Sequence, residues 1–184
     1  MPRLVTLVVE DGTIVAGANS FVTESQIVAY ALARGVTLPF VTEPDQDSVA
    51  ILGIKAMDYL WTLPWKGEVV QVTQTTPWPR KNLNVTPSWP EDAIPFSVIE
   101  AQLQLTLLVN AGTVLIPTGT GIGYLIKEKI GPIENVYSEK VGVSSDGMPI
   151  LPGIKALLDR WLLGTTEGFV PVRLLSIGDY SNGS

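Results

Sequence analysis

The chain has 184 residues, 46% of them hydrophobic and 16% charged, with a net charge of −6 and a pI near 4.6. That is the composition of a folded protein with one core and room for an appendage, and it excludes a disordered chain. There is no cysteine and no histidine, which removes disulfides, thiolate metal sites and every histidine-dependent triad.

The acidic balance argues against the whole molecule being a nucleic-acid binder, because phosphate contacts need clustered Lys and Arg. The N-terminus lacks a basic region followed by an apolar run, so no signal peptide is expected. No window approaches eighteen consecutive apolar residues, so no membrane contact is expected either.

Leu4 to Val9 is a β-branched apolar run ended by the turn signal Asp11-Gly12, and it reads as a short strand or arm. Thr23 and Gln26 have the spacing of a capping box and Glu24 suits the positive helix end, predicting a helix over about 23–34 that closes at Gly35. Ile27, Tyr30 and Ala31 share one of its faces. A second helix over 47–62 buries Val49, Leu52, Ala56, Tyr59 and Leu60 at three–four spacing, with Trp61 assigned to the core.

Residues 64–94 then lose all periodicity and alternate prolines, tryptophans and polar residues. Loops of this length are usually functional or disordered, and Trp65, Trp78 and Trp89 argue for order. Residues Ala101 to Leu107 alternate like a strand, but the length of the segment, its helix-forming residues and Pro95 predict a helix over 95–110. "PTGTGIG" is a joint, and 124–140 is a β ribbon folded about Gly131-Pro132. Pro152 opens a last helix, to about 163, with Ile154, Leu157, Leu158, Trp161 and Leu162 on its apolar side.

The expected fold is therefore mainly α: a small helical bundle in a domain spanning 1–164, with the long Trp/Pro-rich loop and the ribbon projecting from it. Residues 165–184 form an extended C-terminal arm. The arm carries Phe169, Val170, Val172, Leu174, Leu175 and Ile177, too apolar to be left in water, and is expected to order on assembly.

No residue pattern supports catalysis, and no enzyme, cofactor or metal is expected. Gly119, Gly121 and Gly123 fail the dinucleotide fingerprint at Tyr124 and lack the Lys-Ser/Thr pair of a phosphate loop, so they read as linker. The acidic pairs Asp45 with Asp47 and Glu91 with Asp92 precede helices, where negative charge is simply stabilising. The stretch Trp78-Pro79-Arg80-Lys81 sets an aromatic ring beside two cations, the chemistry of a base stacked over charges that hold phosphates. Trp and Arg are equally the residues of interface hot spots. From the residues, Trp65, Trp78 and Trp89 with Lys66, Arg80 and Lys81 serve loop packing or a partner surface, with nucleic acid the lesser alternative.

Several segments in order resemble a phage family: "VVEDGTIVAGANSFVTESQIVAYALARG", "KAMDYLWTLPWKGEVV", "PWPRKNLNV", "DAIPFSVIEAQLQLTLLVNAG" and "KEKIGPIENVYS". The family is labelled DnaT-like single-stranded DNA-binding, and its arrangement also resembles the head–tail connector (adaptor, or head-completion) proteins of tailed phages. The connector resemblance implies a non-enzymatic virion protein at the head–tail junction, present in the host cytoplasm before assembly. It would form a ring of twelve beneath the portal, touching the portal protein and a tail or further connector protein while double-stranded DNA passes without sequence-specific contact. Trp65, Trp78, Pro79, Arg80, Lys81 and Trp89, with the six apolar arm residues named above, would then form subunit or partner interfaces. The alternative is a single-stranded DNA-binding accessory of replication.

Overall fold

The computed structural model describes residues 5–39, 49–116, 127–130, 133–136, 149 and 151–164. Helix α1 (Glu24–Leu32) starts as its capping box dictates: the Gln26 amide donates to Thr23 Oγ1 at 3.2 Å and the Thr23 amide to Gln26 Oε1 at 2.7 Å. Helix α2 (Val49–Trp61) buries the predicted stripe and leaves Lys55, Asp58 and Thr62 exposed around it.

The strand β1 (Glu68–Val69) pairs antiparallel with β2 (Arg80–Lys81), a two-residue ladder inside the long loop. Helix α3 (Phe96–Asn110) is the centre of the bundle and packs on α1, α2 and α4. Strands β3 (Lys127–Ile130) and β4 (Ile133–Val136) form the ribbon, with Ile130 opposite Ile133. Helix α4 (Pro152–Leu158) begins with proline in its first turn and tightens into a 3-10 turn, Asp159–Trp161. The mainly α architecture with a small ribbon is the expected one.

The strand-like alternation of Ala101–Leu107 has a physical origin. Val98, Ala101, Gln102, Leu103, Leu105 and Thr106 are all buried, so α3 is covered on several sides and carries no clean apolar stripe. Two apolar clusters surround it. Val22, Ile27, Ala31, Leu38, Val49, Leu52 and Leu103 join α1, α2 and α3. The larger cluster sets Leu60, Val98, Leu105 and Leu158 against Trp65, Trp78, Leu83 and Trp161.

The loop thus differs from expectation. It does not project from the bundle; Trp65, Trp78 and Leu83 enter the core, because rings of that size stabilise far more when buried than when left in water. Trp61 is the reverse case: it stays 42% exposed, off the Leu52–Ala56–Tyr59–Leu60 stripe, and donates Nε1 to the Thr75 carbonyl at 2.9 Å.

Polar side chains tie distant segments together inside this apolar frame. Gln102, fully buried, accepts from the Phe21 amide at 2.8 Å and donates to Ser20 Oγ at 2.9 Å and the Gly53 carbonyl at 3.1 Å. Asn19 latches the N-terminal arm, accepting from the Val8 amide at 2.8 Å and donating to the Thr6 carbonyl at 3.1 Å. The buried Glu10 carboxylate accepts three backbone amides, from Gly12, Ile14 and Val15, at 2.9, 2.9 and 3.0 Å. Gly12 has φ of +107°, and a Cβ there would stand 2.1 Å from the Asp92 carbonyl oxygen, so only glycine fits.

Among the described residues no helix is long and apolar enough to cross a membrane. The predicted start of α2 at 47–48, the joint, the outer residues of the ribbon, Asp45, Asp47, Gly119, Gly121 and Gly123 lie outside the described residues. So does the arm with Phe169, Val170, Val172, Leu174, Leu175 and Ile177.

Candidate functional site

The loop is locked from its own sequence outwards. Gln74 Nε2 donates to the Thr76 carbonyl at 2.8 Å and the Pro79 carbonyl at 3.1 Å, and Thr76 Oγ1 to the Trp78 carbonyl at 2.6 Å. The Trp78-Pro79 and Thr86-Pro87 peptides are cis.

Arg80 then spends its fork on the backbone: Nε on the Lys66 carbonyl at 2.7 Å, Nη2 on that of Gly67 at 2.7 Å, and Nη1 on that of Pro77 at 3.1 Å. It is 8% exposed. Burial pushes its pKa down from the ordinary guanidinium value, opposed by the charge of Glu68. Gly67 completes the fit, since a Cβ there would meet the Lys81 carbonyl oxygen at 2.2 Å. Trp65-Lys66-Gly67 and Trp78-Pro79-Arg80 are therefore two halves of one clasp.

Four indoles run through this corner edge to face. Trp65 lies 5.8 Å from Trp78, Trp78 lies 5.5 Å from Trp161, and Trp161 lies 5.3 Å from Trp89. Trp65 donates Nε1 to the Leu60 carbonyl at 2.7 Å and Trp161 to Ser97 Oγ at 2.8 Å, while the buried Trp78 Nε1 has no partner among the described residues. The series ends at the surface with half-buried Trp89, whose Nε1 donates to the Ala93 carbonyl at 2.9 Å.

Two cations meet at Trp161, the neighbour of Trp89 in this series. Lys66 Nζ donates to the Arg160 carbonyl at 2.9 Å. The exposed Arg160 guanidinium lies 4.8 Å from the Trp161 ring centre and donates to the Pro87 carbonyl at 2.9 Å.

The sequence-predicted residues are thus brought together but divided in exposure. Trp65, Trp78, Pro79 and Arg80 are buried in their own chain, and Lys81 and Trp89 are half-buried. Trp78, at 0% exposure, offers no face to a base. Lys81 stands opposite Glu68 in the β1–β2 ladder. Arg160 and Trp161 join the site from the end of α4, and sequence reasoning missed that role. The only signal was an Arg-Trp pair in a helix whose apolar side already accounted for the tryptophan.

The surface this leaves is a half-buried indole near two cations, the chemistry of stacking and of holding an anion. Among the described residues no group of three or more His, Cys, Asp or Glu could hold a metal ion.

A family model described as "Putative DnaT-like ssDNA binding protein" matches residues 5–174. No curated protein and no solved structure matches the chain. The family match overturns the connector expectation: the virion ring of twelve, the portal and tail partners and the passing duplex give way to a description that names single-stranded DNA. With nearly its whole length matched, the chain belongs to this DnaT-like family.

Proposed function

We propose that the protein binds single-stranded DNA as a non-enzymatic accessory of replication. The observation that carries this reading is the family match over residues 5–174 together with its description. The geometry supports it at one corner, where half-buried Trp89 packs on Trp161, the Arg160 guanidinium lies over the Trp161 ring and Lys66 reaches the Arg160 carbonyl. A net charge of −6 is no obstacle to a local site, because screening limits the influence of distant surface charge to about one Debye length, ~8 Å in physiological salt. It does predict weak binding that salt removes readily.

Fluorescence anisotropy with labelled oligothymidylate and with a duplex of the same length tests the proposal. The expected result is micromolar or tighter binding to the single strand, weaker binding to the duplex, and loss of affinity as salt rises. Absence of single-strand binding at about 50 mM salt and protein concentrations of about 100 μM would refute it.

A further inference from the structure

We infer that the DNA-contacting surface is the outer end of the tryptophan series, with Trp89 as the stacking ring and Lys66 and Arg160 as the phosphate contacts. The Trp78-Pro79-Arg80 motif is the scaffold that places them. This inference rests on the single-stranded DNA reading of the protein and names the site within it.

Three observations single out this surface. Trp89 is the one member of the four-indole series that is not buried, and it sits edge to face on Trp161 at 5.3 Å with Nε1 already bonded, so its orientation is fixed before any ligand arrives. Arg160 is held between the Trp161 ring and the Pro87 carbonyl, two residues before Trp89 in the chain, and it stays exposed. Lys66 Nζ reaches the Arg160 carbonyl, which brings a second cation to the Arg160–Trp161 turn on which Trp89 packs. A pre-ordered ring beside pre-ordered cations binds a flexible strand with little ordering cost on the protein side.

Neighbouring charges set the size of the site. Glu91 and Asp92 follow Trp89 closely in the chain and Asp159 precedes Arg160, all three exposed, and Glu68 faces Lys81 across the ladder. Among the described residues these carboxylates interrupt the basic surface, and the contact is taken as about two phosphates and one stacked base. Each neutralised phosphate contributes roughly −0.7 to the slope of log K against log salt for a single strand. The expected contribution of this surface is thus about −1.4. Base identity should matter little, because every base offers a stacking face.

A second aromatic–cation pair with an exposed arginine provides the internal comparison. The Arg34 guanidinium lies 3.3 Å from the centre of the Tyr30 ring, but it also faces the Glu100 carboxylate at 3.9 Å. An anion thus stands beside that cation and repels phosphate, so it should contribute less to holding DNA.

The test is anisotropy with labelled oligothymidylate across a salt series for the full-length protein and four variants, with melting temperatures recorded alongside. The double substitution Lys66→Gln, Arg160→Gln should weaken binding about tenfold and reduce the salt slope by about 1.4. Trp89→Ala should weaken binding at least fivefold. Trp89→Phe, which keeps a stacking ring if Trp89→Ala proves unstable, should bind nearly as well as wild type but lose most of the tryptophan quenching seen on DNA addition. Arg34→Gln should bind within twofold of wild type.

If wild type binds no single strand, the functional reading fails and takes the site with it. If wild type binds and the Lys66/Arg160 double variant keeps both affinity and slope, the site alone is overturned. An Arg34→Gln loss equal to that of the double variant would overturn it as well.

Discussion

Arg80 separates a structural motif from a binding one. Its three hydrogen bonds end on the carbonyls of Lys66, Gly67 and Pro77, and none points to solvent. Substitution Arg80→Lys preserves the charge but not the planar fork, and an ammonium reaches at most one or two of the three carbonyls. Hydrogen bonds to a charged partner each contribute about 1.5–3 kcal/mol, and a buried carbonyl left without a donor costs about 1–3 kcal/mol. The carbonyls of Lys66 and Gly67 lie near the surface and can recruit water, which offsets part of the loss. A net destabilisation of about 2–4 kcal/mol follows, and for a chain of this size each kcal/mol lowers Tm by about 2–4 °C. The clasp therefore predicts a Tm lower by roughly 4–16 °C, read by circular dichroism, with the salt slope of DNA binding unchanged at temperatures where the variant is folded. An Arg80→Lys protein melting within 2 °C of wild type while losing DNA affinity would refute the reasoning, because Arg80 would then be a phosphate contact.

Other expectations follow from single positions. Gly12→Ala must fit a methyl 2.1 Å from the Asp92 carbonyl at φ of +107°, so a Tm loss of about 5 °C or more is expected; Gly17→Ala, at φ of +71° with nothing within 4 Å, should cost only about 1 kcal/mol. Gln102→Leu leaves the Phe21 amide buried without an acceptor and should lower urea-unfolding stability by about 2–4 kcal/mol, and Gln102→Glu, which buries a charge at the same place, should cost more. Partial desolvation by the surrounding chain raises the pKa of Asp58, though its surface stays exposed, above the ordinary carboxylate value. The folded state then holds the proton more tightly than the unfolded chain, so this group's contribution to stability falls as pH rises from that ordinary value through the raised one. Asp58→Asn should flatten that part of the profile, seen as a higher Tm relative to wild type at pH 7 than at pH 3.

Much of this fold is legible in the sequence because local signals and packing agree. The Thr23–Gln26 box starts α1, the three–four stripe defines α2, and Pro152 opens α4. The loop was less legible, since burial of Trp65 and Trp78 depends on contacts with α3 and α4 that no local periodicity encodes. Trp61 shows the same limit from the other side: residue type suggested core, but its angular position on α2 and a bond to Thr75 hold it at the surface. The site itself was half legible. Trp89 and Lys66 lie in the segment the sequence marks as unusual, while Arg160 arrives from a chain position 94 residues beyond Lys66.

The segments that carry the family resemblance have a shared physical role. Glu10 and Gly12 fold the opening turn against Asp92; Asn19 and Ser20 bind the N-terminal arm and Gln102; Lys66 and Gly67 receive Arg80; and Gln102 joins α3 to α2. Each is satisfied inside the subunit, and the Gln102 contacts join segments far apart in the chain. A motif whose polar groups are already paired internally has little left to offer a ligand, since binding would first have to break those pairs. Trp78 illustrates the point: its proline and arginine neighbours look like a strand-binding triplet, yet the ring is closed off and the fork is occupied. Trp89 and Arg160 stand outside the W-P-R and W-K-G motifs and keep exposed surface, and Lys66, though inside W-K-G, spends only one of its three ammonium hydrogens on the Arg160 carbonyl. A protein could therefore share every one of these scaffold contacts and lack the surface that touches DNA, so resemblance in the motifs alone transfers the fold more securely than it transfers the binding.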